Sequence, residues 1–208
     1  MLFHELTGIN VIVLYSNTIF KEMNSSGNAL VSPRQGVILT GLVNFLASLI
    51  STQVVRFFGR KTLLLWGQIG MTIVHTGVAI FNIFEIDMGV VAMVMLFMFI
   101  FQNTSGPIAW VYCSETTIDA GMGVNMLVLW GTVFLLSLIC PLMMDPESGL
   151  GPTITFLAFG GTQLLGFLYV LLFIKETAHL SDRDKKLLFT PQMYKGGRLD
   201  DNSEHQYK

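Results

Sequence analysis

The sequence predicts an all-α membrane protein with six transmembrane helices. Six apolar runs of about 20 residues follow one another up to residue 174, and Glu5 is the only charged residue within them. Only 12% of the 208 residues are charged, whereas 52% are hydrophobic. A run of this length can cross the hydrocarbon core of a bilayer as a helix. Strands are excluded because each span must pair its own backbone amides within lipid.

The six predicted spans are separated by short polar connections. The first run starts almost at Met1 without a basic leader, so we expect a membrane span rather than a cleavable signal. We expect residues 1–181 to form one six-helix domain and residues 182–208 to form a cytoplasmic, polar and disordered tail. The spans are predicted at Phe3–Phe20, Val37–Val55, Leu63–Phe84, Val90–Cys113, Val124–Met144 and Ile154–Ile174.

The positions of Lys and Arg predict the orientation of the spans. Cytoplasmic loops carry an excess of these residues, and here they concentrate in the second loop and after the last span. The loops at 82–89 and 145–152 contain neither. The loop Lys21–Arg34, which carries the sequon Asn24-Ser25-Ser26, lies on the same exterior side as these two loops. Its two cations weaken the charge pattern. We expect a cytoplasmic C-terminus. The supporting cations are Arg56, Arg60, Lys61, Lys175, Arg183, Lys185 and Lys186.

The first span carries an unusual number of polar side chains. Helical spacing would place Thr7, Asn10 and Asn17 on one face, where they could border a water-filled path. The alternative is hydrogen bonding between helices, or simple proximity to the membrane interface for His4 and Glu5. Composition alone does not decide between these interpretations.

The fourth span is interrupted by the polar segment Gln102–Pro107. Pro107 lacks an N–H and crowds the carbonyl four residues earlier, while Gly106 relaxes the backbone. The helix is therefore expected to kink or partly unwind in this segment, with Gly106 and Pro107 as the hinge. Broken helices form substrate sites and gates in transporters, although packing kinks are also common. Trp110 is predicted on the same side as Gln102, where it could stack on a ligand or anchor the helix at the interface.

Other isolated polar residues and thiols have simpler interpretations. For His75 in the third span we expect a hydrogen bond between helices rather than proton transfer. Cys113 and Cys140 are expected to be packed, unpaired thiols. The pair His4-Glu5 lacks the HExxH spacing, and neither a phosphate loop nor a nucleophile elbow is present. We therefore expect no enzymatic activity, metal, cofactor or nucleic-acid partner.

Four segments together resemble the C-terminal half of a sugar porter of the major facilitator superfamily. His4–Asn10 resembles the family segment QQLSGIN, and Gly59–Lys61 resembles its GRR or GRK loop. Gly106–Trp110, followed by Glu115, resembles GPIPW and its downstream glutamate. Lys175–Thr177 resembles the start of PETKG. The four matches occur in the family's order and at its spacing.

The resemblance implies helices seven to twelve of a twelve-helix carrier, which binds sugar between two halves that rock around it. The implied partners are a monosaccharide, membrane lipid and an N-terminal six-helix half or partner chain. The paired glutamines of the family are replaced by His4-Glu5, a frequent acid by Gln102, and a proline by Ala109. The sugar-facing positions implied by the resemblance are His4, Glu5, Asn10, Asn44, Gln102 and Trp110.

The resemblance also implies a latch of charged residues at the cytoplasmic helix ends. Arg56 replaces the acid that precedes GRR in the family, and no arginine follows Glu115. Lys175 and His179 replace the proline and glycine of PETKG. We therefore expect Glu115 to meet Arg60 or Lys61. The latch residues implied are Gly59, Arg60, Lys61, Glu115 and Glu176.

The expected function is transport of a monosaccharide, such as a hexose, across the plasma membrane by alternating access. This chain would supply the C-terminal half of the carrier. The alternative is a truncated membrane scaffold or sugar sensor that transports nothing. The sequence leaves open the identity of the sugar and whether protons are coupled.

Overall fold

The computed structural model describes residues 1–13, 33–145, 149–178, 180–181, 184–185 and 188–189. These ranges contain helices and connections but no strand. The first segment resumes as helix at residues 9–13 after a short break. The helices are α1 (Leu2–Glu5), α2 (Pro33–Phe57), α3 (Arg60–Ile83), α4 (Asp87–Asn103), α5 (Ser105–Thr116), α6 (Asp119–Met144) and α7 (Gly151–Phe173).

The prediction of an all-α, multi-pass membrane protein is confirmed. The described residues contain five helical stretches long and apolar enough to cross a membrane, with α4 and α5 counted as one stretch, Asp87–Thr116. The segment Leu2–Val13 is a shorter apolar helix. Residues 14–20 of the predicted first span, including Asn17, lie outside the described residues. So do the sequon at Asn24 and most of the tail predicted at 182–208.

The centre of the bundle is the pair α3 and α7. Helix α3 makes its most extensive contact with α7 and its next with α4. Its residues Met71, Val74 and Val78 are buried against Phe97 and Phe156. Helices α2 and α6 instead leave most of their large apolar side chains exposed. Such surfaces are compatible with lipid, which is as apolar as the side chains themselves.

The first helix is interrupted at residues 6–8, so the prediction of one uninterrupted helix is wrong there. Gly8 adopts φ +80°, a conformation that only glycine adopts without strain. Helix α7 supports the break, because Thr162 Oγ1 and Gln163 Nε2 donate to the Leu6 carbonyl at 2.9 and 3.2 Å. The hydroxyl of the buried Thr7 donates to the His4 carbonyl. The expected common face of Thr7 and Asn10 is therefore lost.

His75 of α3 also supports this break. It makes the hydrogen bond between helices that the sequence predicted for it. Its Nε2 lies 2.9 Å from the Thr7 carbonyl. This bond needs the proton on Nε2. The Nδ1 atom then has no hydrogen-bond partner among the described residues, and the ring packs near Phe97 and Phe159.

The fourth span is also broken, and the break at Thr104 lies within the segment Gln102–Pro107 where a kink was predicted. Helix α4 ends at Asn103 and α5 starts at Ser105, which places Gly106 and Pro107 in the first turn of α5. Pro107 cannot donate to the Asn103 carbonyl, whereas proline is tolerated in a first helical turn. Thr104 bridges the break: its N–H donates to Phe101 and its hydroxyl to the Ile100 carbonyl, at 3.2 and 2.7 Å.

The helix ends assemble on two opposite faces, as expected for alternating spans. At one face Arg60 of α3 meets Glu115 of α5. At the other, Asn82 donates to Thr153 at 2.9 Å. Cys113 and Cys140 are both free thiols, as predicted. Which face is cytoplasmic remains a prediction.

Candidate functional site

A first polar group lies at the break of the first helix, and we call it the inner group: His4, Glu5 and Asn10. Glu5 Oε2 accepts a hydrogen bond from Asn10 Nδ2 at 2.9 Å. His4 Nε2 lies 3.6 Å from Glu5 Oε1, and both side chains are less than a tenth exposed. The break allows Asn10 to reach back five residues to Glu5. The result is a buried carboxylate held beside an amide and an imidazole.

Helix α5 and aromatic rings enclose the imidazole of this inner group. His4 Nδ1 lies 3.1 Å from the Ser105 carbonyl, in the first turn of α5. The ring centroids of Phe101 and Trp110 are 5.3 and 6.3 Å from that of His4, and the Trp110 ring is almost perpendicular. The structure therefore brings together four of the six predicted sugar-facing residues: His4, Glu5, Asn10 and Trp110.

The other two predicted sugar-facing residues lie apart from the inner group, where Gln102 of α4 contacts Ser48 of α2 and Asn44 takes part only through its backbone carbonyl. Gln102 Nε2 donates to Ser48 Oγ at 2.7 Å, and Ser48 Oγ donates to the Asn44 carbonyl at 2.9 Å. The prediction that Gln102 and Trp110 share one side of the helix assumed that the fourth span is uninterrupted. That register is lost at Thr104, where φ is −128° and ψ is −96°.

A second polar group lies at the helix ends, and we call it the end group: Gly59, Arg60, Lys61, Glu115 and Glu176, together with Thr177 and Lys185. Its centre is the Glu176 carboxylate, which caps α3. The carboxylate accepts the N–H groups of Arg60 and Lys61, the first two residues of the helix, at 2.8 and 3.1 Å. Its Oε1 also accepts the N–H groups of Thr177 and Ala178, both at 3.0 Å. A negative charge here also interacts favourably with the helix dipole.

The cap requires glycine at position 59 because a side chain there has no room. A Cβ built on Gly59 would overlap the Glu176 carboxylate. The backbone of Gly59 is extended, with φ −66° and ψ 148°, so the requirement is for close approach and not for an unusual conformation. Two motifs distant in sequence, Gly59–Lys61 and Lys175–Thr177, thus form one capping unit.

Glu115 completes the end group with three donors. Arg60 Nη2 lies 3.1 Å and Lys185 Nζ 3.0 Å from Glu115 Oε1, and Thr177 Oγ1 donates to Oε2 at 2.8 Å. The expected contact of Glu115 with Arg60 is therefore present. Lys61 instead donates its ammonium to the Leu171 carbonyl at 2.9 Å.

A cavity of about 620 Å³ lies between α1, α3, α5, α6 and α7. Of the predicted sugar-facing residues, His4 alone is among its lining residues. Two buried lining residues, Gln68 and Ser105, carry side-chain oxygens without a hydrogen-bond partner in the described ranges. Sequence reasoning did not identify this cavity. The sequence did contain a signal for it: Ser105, Ala109 and Tyr112, which line the cavity, recur at the spacing of one helical face.

Metal binding finds no support in the part of the chain that the structure describes. No group of three or more His, Cys, Asp or Glu side chains there could hold a metal ion.

Comparison with known proteins places this geometry in a family. The chain matches the family model described as sugar (and other) transporter over residues 1–184. It is similar to hexose transporter 1 of Plasmodium falciparum, with 31% identity over 188 residues, which cover 83% of this chain and 34% of that protein. It is also similar to the glucose facilitated diffusion protein of Zymomonas mobilis, with 29% identity over 184 residues, 84% of this chain and 38% of that protein.

Solved structures share the fold. A double tryptophan mutant of XylE superposes with a TM-score of 0.78 at 21% identity, over 88% of this chain and 40% of that chain. The xylose transporter XylE from E. coli in a partially occluded inward-open conformation gives a TM-score of 0.71 at 22% identity, over 86% and 39%.

The chain spans just over a third of the length of the curated relatives that it matches. The family match nevertheless covers all seven of the helices α1 to α7. The broken first and fourth helices, the carboxylate cap on α3 and the shared fold all lie within it. The chain belongs to the sugar (and other) transporter family.

Proposed function

We propose that this chain is the C-terminal half of a transporter that moves a monosaccharide, such as glucose or another hexose, by alternating access. The inner group carries the proposal. It places a carboxylate, an amide and an imidazole at a helix break inside an apolar bundle, which is where secondary transporters bind their substrates. The names of the related proteins, which refer to hexose and glucose, support this substrate class.

The inner group suits a ligand rich in hydroxyl groups. Glu5 Oε2 accepts one hydrogen bond from Asn10, and a carboxylate can accept about four. Sugar hydroxyls could supply the missing donors, while the Trp110 ring could pack on the apolar face of the sugar. An unpaired buried hydroxyl costs about 1–3 kcal/mol, so such matching would select sugars. The proposed substrate-binding residues are His4, Glu5, Asn10, Asn44, Gln102 and Trp110.

Alternating access needs parts that move, and two features suit this role. At the junction of α4 and α5 the Thr104 N–H bonds three residues back, to Phe101, instead of four, so Gly106 and Pro107 could act with it as a hinge. The end group connects three elements through Glu115, so it could open and close as a latch. The proposed latch residues are Gly59, Arg60, Lys61, Glu115 and Glu176.

We further propose that the protein resides in the plasma membrane with its C-terminus in the cytoplasm. The concentration of Lys and Arg at the face of the end group supports this orientation. An epitope tag after Lys208 should then be reached by antibody only after cells are permeabilised. Staining of the tag on intact cells would show that the C-terminus lies outside the cell and would contradict the proposed orientation.

The transport proposal is tested by uptake of labelled glucose in cells that lack hexose carriers. This chain is expressed together with the N-terminal six-helix half of a related sugar porter. Saturable uptake is expected, and Asn10→Ala should reduce it at least tenfold at equal membrane abundance. Asn82→Ala, the same change at the opposite helix ends, is the matched control and should retain uptake.

Two results would contradict this proposal. Equal uptake by the Asn10→Ala and Asn82→Ala variants would exclude the inner group as the sugar site. Absence of uptake, combined with a glucose-dependent rise in thermal stability, would identify a sensor instead of a carrier half.

A further inference from the structure

Two atoms of the inner group, His4 Nε2 and Glu5 Oε1, face each other as hydrogen-bond acceptors. The Ser105 carbonyl can only accept, so His4 Nδ1, which lies 3.1 Å from it, carries the proton of the neutral ring. His4 Nε2 is then a bare acceptor. It lies 3.6 Å from Glu5 Oε1, which is too far for a direct hydrogen bond. The pair therefore lacks a donor that both atoms could share.

The Glu5 carboxylate has no lysine or arginine paired with it in the described ranges. Its partners there are the Asn10 amide and the His4 ring, whereas the ion pairs made by lysine and arginine lie in the end group. A buried carboxylate is costly unless a positive charge or further hydrogen bonds compensate it. A ligand with an ammonium group would supply both, and a neutral hydroxyl would supply only the second.

An ammonium group also matches the two acceptors in number. A hydroxyl group has one hydrogen to donate, whereas an ammonium group has three. A nitrogen placed about 2.9 Å from each atom could donate to Glu5 Oε1 and His4 Nε2 together, because the two atoms are 3.6 Å apart. Hydrogen bonds in which a donor or acceptor is charged are roughly twice as strong as neutral ones.

Aromatic rings beside the imidazole favour a cation at the same place. The ring centroids of Phe101 and Trp110 lie 5.3 and 6.3 Å from that of His4. The face of an aromatic ring attracts a cation within about 6 Å, and tryptophan does so most strongly. Trp110 is 36% exposed, so part of its indole ring is open to a ligand.

We propose that the inner group selects a sugar that carries an ammonium group, such as glucosamine, over the corresponding neutral sugar. Glu5 is the specificity-determining residue, and His4 is the second acceptor for the ammonium group. This inference rests on the proposal that the chain is half of a sugar transporter, and it names the kind of sugar that the site prefers. Glutamine at position 5, as in the segment QQLSGIN, would offer an amide oxygen without the charge.

Competition for the uptake of labelled glucose tests this preference. The chain is expressed with the same N-terminal six-helix half as in the transport test. Uptake is measured at about pH 6.5, where the amine of glucosamine is charged. The unlabelled competitors are glucose, glucosamine and N-acetylglucosamine. The last of these keeps the nitrogen on the same carbon as a neutral amide, so it shows whether the charge is needed.

Glucosamine should inhibit half-maximally at a concentration about tenfold lower than glucose does, and N-acetylglucosamine should compete least. Glu5→Gln keeps the shape of the side chain and removes its charge. This variant should lose the advantage of glucosamine, while glucose still competes. Glu85→Gln is the matched control, because Glu85 is exposed in the connection between α3 and α4. It should retain the advantage of glucosamine.

Three results would overturn this inference while glucose uptake, and with it the transport proposal, still stands. The first is equal inhibition of the parent chain by glucose and glucosamine. The second is an advantage of glucosamine that survives Glu5→Gln, because the carboxylate would then not be the selecting group. The third is glucose uptake that rises severalfold in acid in the parent chain but not in Glu5→Gln, which would assign the carboxylate a proton instead of an amine.

A binding measurement keeps the inference testable without uptake. The thermal stability of the chain in detergent is measured against increasing glucose or glucosamine, also at about pH 6.5. Glucosamine should raise the midpoint of unfolding at a lower concentration than glucose does, and Glu5→Gln should remove that difference. Stabilisation by glucose alone, or by neither sugar, would overturn the preference.

Discussion

The two polar groups differ in how completely their carboxylates are paired. In the end group, Glu176 accepts four backbone N–H groups, and Glu115 has three donors from Arg60, Thr177 and Lys185. In the inner group, Glu5 accepts one amide hydrogen bond, and His4 lies 3.6 Å away. The end group is thus nearly saturated, whereas the inner group retains capacity for a ligand.

This difference indicates different roles for similar chemistry. A saturated carboxylate fixes helix ends, because each backbone N–H at a helix start needs an acceptor. A buried carboxylate with few partners is costly unless a further donor arrives. Stability should therefore depend mainly on the end group, and ligand binding on the inner group. Four substitutions test this comparison.

The largest loss of stability is expected for Glu176→Ala. It removes the acceptor for the first two N–H groups of α3, at a cost of about 3 kcal/mol. The midpoint of thermal unfolding in detergent should fall by roughly 6–12 °C. Glu176→Gln retains one acceptor oxygen and should lose about half as much. An unchanged midpoint for Glu176→Ala would show that the cap does not stabilise the bundle.

Gly59→Ala should also destabilise the end group, by about 2 kcal/mol. The added methyl would overlap the Glu176 carboxylate and displace it from α3. Gly41→Ala is the matched control, because a Cβ there meets nothing within 4 Å. In the interior of α2 that change should stabilise by about 0.5–1 kcal/mol. The two variants should thus shift the unfolding midpoint in opposite directions, and shifts of the same sign would contradict the overlap.

Asn10→Ala should have a smaller effect on stability, about 1–2 kcal/mol. It removes the amide that donates to Glu5 Oε2. The comparison predicts that this variant loses glucose uptake far more than thermal stability, whereas Glu176→Ala loses both together. A fall in uptake that only matched the loss of folded protein would assign Asn10 a structural role.

The smallest effect is expected for Lys185→Ala, at most about 1 kcal/mol. Glu115 keeps its contacts with Arg60 and Thr177 in this variant. The difference from the parent chain should vanish at 1 M NaCl, where the screening length is about 3 Å. Lys185→Arg preserves the charge and should behave like the parent. A salt-independent loss would show that Lys185 acts through packing instead of charge.

Some spans and contacts could be predicted from the sequence, whereas the exact positions of helix breaks could not. The last five spans followed from apolar length, and the family resemblance limited the expected partner of Glu115 to Arg60 or Lys61. The break at Thr104 lies three residues before Pro107, because a proline disrupts bonding to the residue four positions earlier while fitting a new first turn. The break at residues 6–8 was missed, since a single glycine within an apolar run does not show whether its φ is positive.

The contacts that define the candidate site could not be predicted in the same way. That Glu176 caps α3 depends on two segments more than 100 residues apart, and that Gln102 contacts Ser48 depends on the packing of α2 against α4. Neither contact leaves a periodic signal in the chain. The cavity between α1, α3, α5, α6 and α7 exists only once these helices are placed around it.

The sequence by itself determined the all-α class, the membrane location and the positions of the last five spans, because apolar length and charge act locally along the chain. Tertiary structure alone decided which polar atoms meet, since hydrogen bonds between helices depend on their relative rotation and depth. The inner group, the carboxylate cap of α3 and the cavity beside α5 all result from that arrangement. The physical reason is that the transfer of a span into lipid depends on its own residues, whereas the pairing of polar groups depends on residues far apart in the sequence that the whole bundle brings together.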